Sequence, residues 1–482
     1  MKKIILIGIV LILLINHMYA QTPHLWGLAN LGGLYNKGVL YKINGDGTGY
    51  TNHYNFNDTL GRYPQYKLMF NYNNNKFYGV CPAGGQLGDN GVLFSFDTLT
   101  NTYSDIHDFN TLDSSGRNPC SSLIQLNNGL LYGLAAQTSS GSQAGLLYNF
   151  NTTNSAYTKL VDFDTNYIQS PLGGDLLEFG TNKLYGLLGN DTIHTDHGSG
   201  GIFRFDVATS TYTELYHFDF YHGTVPQGNG LIHATNNILY GMTYGGGDTT
   251  NNFTQGYGVI FSFDTTTNTV TNLMNFTGTN GHHPYRSFIQ AANGLLYGMT
   301  SQGGTNNKGV LFSFNIATNA QTILVNFSGT NGADPRGSLM QASDGKLYGT
   351  TRIGGLNNKG LIFSYDIITN TFTDIHDFNG TDGASSYELV ELNNETVGLP
   401  KASIQIGISI YPNPASTFLN IHHSTYTTPE TLLITDLLGT VVYKENLTGI
   451  DNTISISTWS AGIYFYEIKG EKEIVRGKFV IL

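Results

Sequence analysis

Charge is scarce in this sequence. Lys, Arg, Asp and Glu make up 12% of its 482 residues, about half the usual share, and the balance is acidic, at a net −11. No polybasic run or basic stripe is present. That argues against a surface for nucleic acid, which needs clustered Lys and Arg, and against an electrostatic hold on anionic lipid. Long apolar runs are missing beyond the first residues, so no later stretch could span a bilayer. No Ser-His-Asp order, nucleophile elbow or phosphate-binding glycine loop stands out. Gly, Asn, Thr, Tyr and Phe fill the space left by charge. Tyr, Phe and Thr favour strands, Gly and Asn favour turns, and there is enough aromatic and aliphatic side chain for a real core.

The N-terminus reads as an export signal. Met1-Lys2-Lys3 is a short positive region, Ile4 to Ile15 an apolar core, and Met18-Tyr19-Ala20 ends it on a small residue before Gln21. Residues 1–20 are expected to be a cleaved signal peptide. A membrane anchor needs about 20 apolar residues, and this run breaks at Asn16-His17. The mature chain is then expected to have no integral membrane segment.

What is abundant is repetition. Leu-Tyr-Gly or a close variant ends at Gly27, Gly79, Gly133, Gly186, Gly241, Gly298 and Gly349, at steps of 52, 54, 53, 55, 57 and 51 residues. That period is close to a propeller blade. Each unit reads as four short strands. In the last complete one these are Ser338 to Ala342, Lys346 to Thr351, Leu361 to Tyr365 and Phe372 to Phe378. Asp344-Gly345 turns the first hairpin, and Asp366 to Asn370 turns the last. Four-stranded units at this period imply radial repetition about an axis. The ends support closure: the chain enters at Leu25-Trp26 in strand two, and Tyr387 to Leu392 supplies a strand one with no strand two behind it. The fold expected for residues 21–393 is an all-β, seven-bladed propeller, with the C-terminal strand completing the N-terminal blade.

The loops between strands two and three, and those between units, should share one face of the ring. Most are formulaic, as in Gly303-Gly304 with Asn307-Lys308-Gly309, and each inter-unit loop carries a proline (Pro64, Pro119, Pro171, Pro226, Pro284 or Pro335). A formula in every blade reads as turn chemistry. Departures are more informative. The fourth unit has a loop containing Asp191, His194, Asp196 and His197; the fifth has a longer one with Tyr244, Asp248, Phe253 and Tyr257. Neighbouring inter-unit loops hold Tyr221, His222, His282, His283, Tyr285 and Arg286. Together these are the candidate ligand rim, since exposed aromatics suit flat ligands. His with Asp could bind calcium or another metal, but no spacing matches a ligand motif, so no cofactor is expected. His107-Asp108 and His376-Asp377 occupy one place in separate blades and read as strand-four residues. Cys81 and Cys120 stand in loops of the same face; they either form a disulfide, allowed in an exported protein, or are small buried apolar residues.

After a linker at 394–404, residues 405–482 form seven short strand-like runs, which suit a small Ig-like β-sandwich. Four phrases carry a resemblance: Tyr411-Pro412-Asn413-Pro414, then Asp436-Leu437-Leu438-Gly439, then Ala461-Gly462-Ile463-Tyr464, then Gly477-Lys478-Phe479-Val480. This tail resembles the C-terminal sorting domain of the type IX secretion system. The resemblance implies export across the outer membrane by that machinery, a location that is secreted or on the outer cell surface, and later removal of the domain. The ring, from residue 25 to about 392, resembles the Gloeobacter/Verrucomicrobia-type tandem repeats, marked by Leu-Tyr-Gly-Thr-Thr, a double Gly and Gly-x-x-Phe. That family brings no established activity.

The function expected is therefore non-catalytic binding of a glycan, a peptide or another surface protein by variable loops on a rigid scaffold. A polysaccharide-acting hydrolase or lyase is the alternative, with Asp191, Asp196 and Asp248 as the acids to try. A structural surface component without a ligand is the third.

Overall fold

The computed structural model describes residues 22–110, 115–138, 145–163, 169–171, 174–190, 200–226, 228–234, 238–247, 256–392, 408–411, 418–423, 430–436, 440–447, 449–460, 462–470 and 474–481. These residues contain no helix, and so none long and apolar enough to cross a membrane. The chain divides into two compact units at Asn394.

The first unit holds seven antiparallel sheets, and each Leu-Tyr-Gly anchor lies in a different one. Blade 7 is typical: Met340–Gln341, Leu347–Thr350, Leu361–Asp366 and Thr371–Asp377 pair in that order. Blade 1 is assembled from both ends of the ring. Its inner strand, Ala384–Glu391, pairs with His24–Leu31, placing Leu25 opposite Glu391, Gly27 opposite Leu389 and Ala29 opposite Ser386. The seam is held by a buried pair of hydroxyl contacts. Tyr41 Oη lies 2.7 Å from Ser386 Oγ, which donates to the Leu28 carbonyl at 3.1 Å.

The anchor glycine has a physical cause. In every blade strands three and four slip by one residue at the same place, at Tyr41, Phe94, Tyr148, Phe203, Phe261, Phe312 and Phe363. The aromatic ring at that bulge lies across the glycine of strand two. A Cβ on Gly79 would fall 2.6 Å from Phe94, one on Gly241 2.5 Å from Phe261, and one on Gly349 2.6 Å from Phe363. Only a residue without a side chain lets the ring pass so close. The anchor tyrosine has its own task. Tyr132, Tyr297 and Tyr348 bond Asn128, Asn293 and Asp344 at 2.8 Å, tying the hairpin between strands one and two to the strand that follows. The apolar faces then pack between neighbouring blades, as in the cluster joining Tyr297, Leu311 and Phe327 of blade 6 to Leu347, Leu361 and Phe363 of blade 7.

The second unit has two sheets. One pairs Ile408–Tyr411, Phe418–His423 and Asp451–Ser455; the other pairs Val441–Leu447, Glu430–Thr435, Gly462–Lys469 and Ile474–Ile481. Leu419, Ile421 and Ile454 of the first share a core with Leu432, Ile434, Ile468 and Phe479 of the second. That is a sandwich with the expected seven strands.

Candidate binding site on the ring

The repeated loop formula turns out to join blades as well as turn the chain. The residue before each inter-unit proline adopts positive φ at Tyr63, Asn118, Val225, His283 and Asp334, and Ser385 does so in the closing strand. This conformation turns its N–H toward the preceding blade. Tyr63 donates to the Lys37 carbonyl at 2.9 Å, Asn118 to Asn90 at 2.7 Å, His283 to Tyr257 and Asp334 to Lys308 at 3.0 Å, and Ser385 to Lys359 at 2.9 Å. The glycine after that carbonyl seats the next blade's proline ring: a Cβ on Gly309 would lie 2.9 Å from Pro335 Cδ, and one on Gly91 2.4 Å from Pro119 Cδ. The formula is a latch between blades. Within the same loops, Asp108 and Asp377 accept backbone N–H bonds from Gln86 and Leu356, which gives these strand-four acids a structural task.

The latch geometry brings part of the rim together. Tyr244 and His283 stack with ring centroids 4.1 Å apart, and Tyr285 meets Tyr244 edge-on at 6.5 Å. The Arg336 guanidinium lies 4.9 Å from the Tyr285 ring centroid. Arg336 and Arg352 both donate to Asp334, at 2.8 and 2.6 Å, so the cation above Tyr285 is fixed from behind. His282 contacts His283 edge-on at 4.5 Å and Tyr257 at 5.2 Å. Burial lowers the pKa of both imidazoles, that of His283 to about 4, so the pair is neutral at physiological pH. Both histidines are buried in the structure, which leaves Tyr244, Tyr285 and Arg336 as the half-buried members. Arg336 and Arg352 stand outside the residues expected from sequence.

Other rim residues are placed differently. Tyr221 is 78% exposed and His222 turns back onto Asp219 at 2.8 Å; neither belongs to the Tyr244–Tyr285 contacts. Asp191, His194, Asp196, His197, Asp248 and Phe253 lie outside the described residues, as do Pro412, Asn413, Pro414 and Gly439 of the sorting phrases. Tyr411, Gly462, Gly477 and Lys478 fall on strands of the second unit, and Tyr464 packs in its core. The described residues bring no three His, Cys, Asp or Glu side chains together as a metal site. The cysteines are not joined. Sharing a face was too weak a criterion: Cys81 is buried in the core between blades 1 and 2, and Cys120 in another core, with its thiol donating to the Pro171 carbonyl at 2.8 Å.

Arg286 corrects the rim reading outright. It is 4% exposed and points to the ring axis, where its Nε stands 3.3 Å from Glu388 Oε1. Its guanidinium also reaches the Gln65 carbonyl at 3.1 Å and lies 5.1 Å from the Tyr66 ring centroid. Burial opposes its charge, but Glu388 and Asp175 more than offset that and raise its pKa. For Glu388 the balance goes the other way. Burial, reinforced by the neighbouring Asp175, raises its pKa to about 7 against the pull of Arg286 and Lys67. Sequence reasoning sought paired acids in the variable loops and missed these two on strand one. Aligning the strand-one positions across blades would have exposed them.

The family model of the Gloeobacter/Verrucomicrobia repeat matches residues 15–198 and 183–405. The chain belongs to the Gloeobacter/Verrucomicrobia repeat family. A second model, the secretion system C-terminal sorting domain, matches residues 409–482. This repeat protein therefore carries a type IX secretion sorting domain, associates with that machinery, and is secreted or displayed at the cell surface. No curated protein matches it in sequence. Among solved structures, the repeat protein is similar to a putative 6-phosphogluconolactonase from Bacteroides uniformis, at 12% identity and TM-score 0.51 over 77% of this chain and 100% of that one. It is also similar to PorZ, a surface component of the type IX secretion system of Porphyromonas gingivalis, at 13% identity and TM-score 0.42 over 93% of this chain. It spans 64% of the length of PorZ. At 12% identity the likeness to the lactonase structure is one of fold alone.

Proposed function

We propose that this Gloeobacter/Verrucomicrobia repeat protein is an extracellular, non-catalytic glycan-binding propeller. In this reading residues 1–20 are removed as a signal peptide, 21–393 form the binding ring, 394–404 link it, and 405–482 direct export and are then cut away. The observation that carries the binding role is the Tyr244–Tyr285–Arg336 cluster, two aromatic faces and a guanidinium immobilised by Asp334 and half-open to solvent. Rigid aromatic planes recognise the apolar faces of sugar rings at little entropic cost, and a fixed guanidinium adds directed donors. Full-length protein lacking residues 1–20 should bind one class among a polysaccharide panel, and Tyr285→Ala should weaken binding by about tenfold or more. Binding of peptides or proteins in place of glycans, or an unchanged affinity in Tyr285→Ala, defeats this assignment.

One observation favours a hydrolase as a second reading. Asp175 and Glu388 are acids in electrostatic contact beside the axis, and Glu388 is poised near neutrality, as a general acid is. Release of reducing ends in the same wells, abolished by Glu388→Gln, would replace the binding role with catalysis.

A further inference from the structure

Strand one of each blade lines the ring axis, and its composition there is not that of a packed core. The inner-facing position is Lys67 in blade 2, Ser122 in blade 3, Asp175 in blade 4, Ser287 in blade 6, Ser338 in blade 7 and Glu388 in blade 1. Blade 5 has Gly230 there. The residue after it is apolar in every blade and is buried between sheets, as Leu68, Leu231, Phe288 and Leu389 are. Contacts run round the axis in order. Lys67 N–H donates to Ser122 Oγ at 3.0 Å and Ser122 N–H to Asp175 Oδ1 at 3.1 Å, while a Cβ on Gly230 would fall 2.5 Å from Ser287 Oγ.

Five of these positions, Lys67, Asp175, Ser287, Ser338 and Glu388, line a cavity of about 380 Å³, within the range of small-molecule sites. Three polar atoms on its wall are buried and make no hydrogen bond within the protein: Ser287 Oγ, Ser338 Oγ and Glu388 Oε1, the last facing Arg286 without the alignment of a hydrogen bond. Buried groups of this kind are satisfied by water or by a ligand. With Glu388 protonated below about pH 7, the remaining charges balance, Lys67 and the neighbouring Arg286 against Asp175 and Glu391. Glu391, also on the wall, is taken up by Ser343, whose N–H and hydroxyl both donate to it.

We propose that the axial cavity is a second binding site, taking one neutral, hydroxyl-rich molecule of monosaccharide size, a sugar or cyclic polyol. Balanced charge disfavours an ion of either sign, because either would leave one pair of walls uncompensated. A hydroxyl group both donates and accepts, so one polyol can meet serine oxygens, a carboxyl group and an ammonium together. The proposal rests on other residues than the aromatic cluster, the two sets meeting only where the Arg286 guanidinium lies 6.0 Å from the Tyr285 ring centroid.

The test is titration calorimetry of the full chain lacking residues 1–20 with common hexoses, pentoses, inositol, a small diamine and inorganic phosphate. One of the sugars or inositol should bind, and the paired substitution Ser287→Ala/Ser338→Ala should weaken it about tenfold, two neutral hydrogen bonds being lost. Tyr244→Ala, which removes the ring stacked on His283, should leave it unchanged, which separates this site from the outer one. Preferential binding of the diamine or of phosphate overturns the proposal, and so does no binding at all, which would leave water alone in the cavity. Ser122→Ala serves as a further variant: its hydroxyl is already engaged by Lys67 N–H, so an effect matching that of the serine pair would mean a general loosening of the ring and would equally refute the assignment.

Discussion

Replacing Glu388 by Gln gives a direct measure of how the ring axis tolerates charge. The carboxyl is 5% exposed, beside Asp175 and opposite Arg286. Its pKa rises from an ordinary 4.5 to about 7, so the folded chain holds this proton more tightly than the unfolded one. Below pH 4.5 both states are protonated and nothing is lost. Between 4.5 and 7 the unfolded chain releases the proton first, and stability falls as pH rises. Above 7 the loss is complete, at about 3 kcal/mol on the scale of 1.36 kcal/mol per pH unit. Gln does not titrate. The wild type should therefore lose about 3 kcal/mol relative to Glu388→Gln on going from pH 4.5 to 8, whatever fixed cost the variant carries from Arg286 losing its partner. Asp105 and Asp374 are also raised by burial, to about 6, but they are common to both proteins and cancel. Denaturant unfolding followed by Trp26 fluorescence in a Trp459→Phe background reads the ring alone, since these are the two tryptophans. Parallel stability curves, or a gap moving in the opposite sense, would mean that Glu388 is ionised throughout as a simple ion pair, and would refute the reasoning.

Two further outcomes test the latch. Gly309→Ala should cost about 3 kcal/mol or more, because its positive φ adds about 1–2 kcal/mol to a Cβ placed 2.2 Å from the Thr300 carbonyl and 2.9 Å from Pro335; Gly294→Ala, at φ +81 with nothing within 4 Å, should cost only the conformational part, and equal losses in thermal melts would remove the latch from the account. Val225 is a β-branched residue at φ 49, where Asn118 and Asp334 stand in blades 3 and 7, so Val225→Asn should stabilise by about 1 kcal/mol; a lower melting temperature would show that its side chain contributes more than its strain costs.

The propeller was legible because its causes are local and repeated. A glycine under an aromatic ring, a tyrosine bonded to its hairpin and a proline against the previous blade each leave a mark in every unit. Closure was legible because the leftover pieces at Leu25 and Glu388 were complementary. The functional surface was harder to read. Tyr244, His283 and Tyr285 are close in sequence to their latch and could be grouped by face. Whether a side chain on that face stays half-exposed, as Tyr285 does, or is buried against Glu388, as Arg286 is, depends on one residue of register. The axial set was missed for a different reason: Lys67, Asp175 and Glu388 are ordinary alone and stand out only when the strand-one positions of all blades are set side by side. Arg336 lay hidden in the formula, since it follows Pro335 as any turn residue would. Of the two readings open for the cysteines, the structure has the buried, unjoined one, and a repeat count could not choose between them.

The strand that shuts the ring is the last part of the propeller to be made. Tyr41 and Ser386 stand 345 positions apart, and until the second arrives the first blade keeps an adhesive flank. A chain delivered from its N-terminus carries that flank almost to the end of its passage, and no version stopping within the repeats is a finished object. The same arrangement gives proteolysis a one-sided margin: a cut beyond Leu392 frees the tail and leaves the circle intact, while a cut before it unzips the seam.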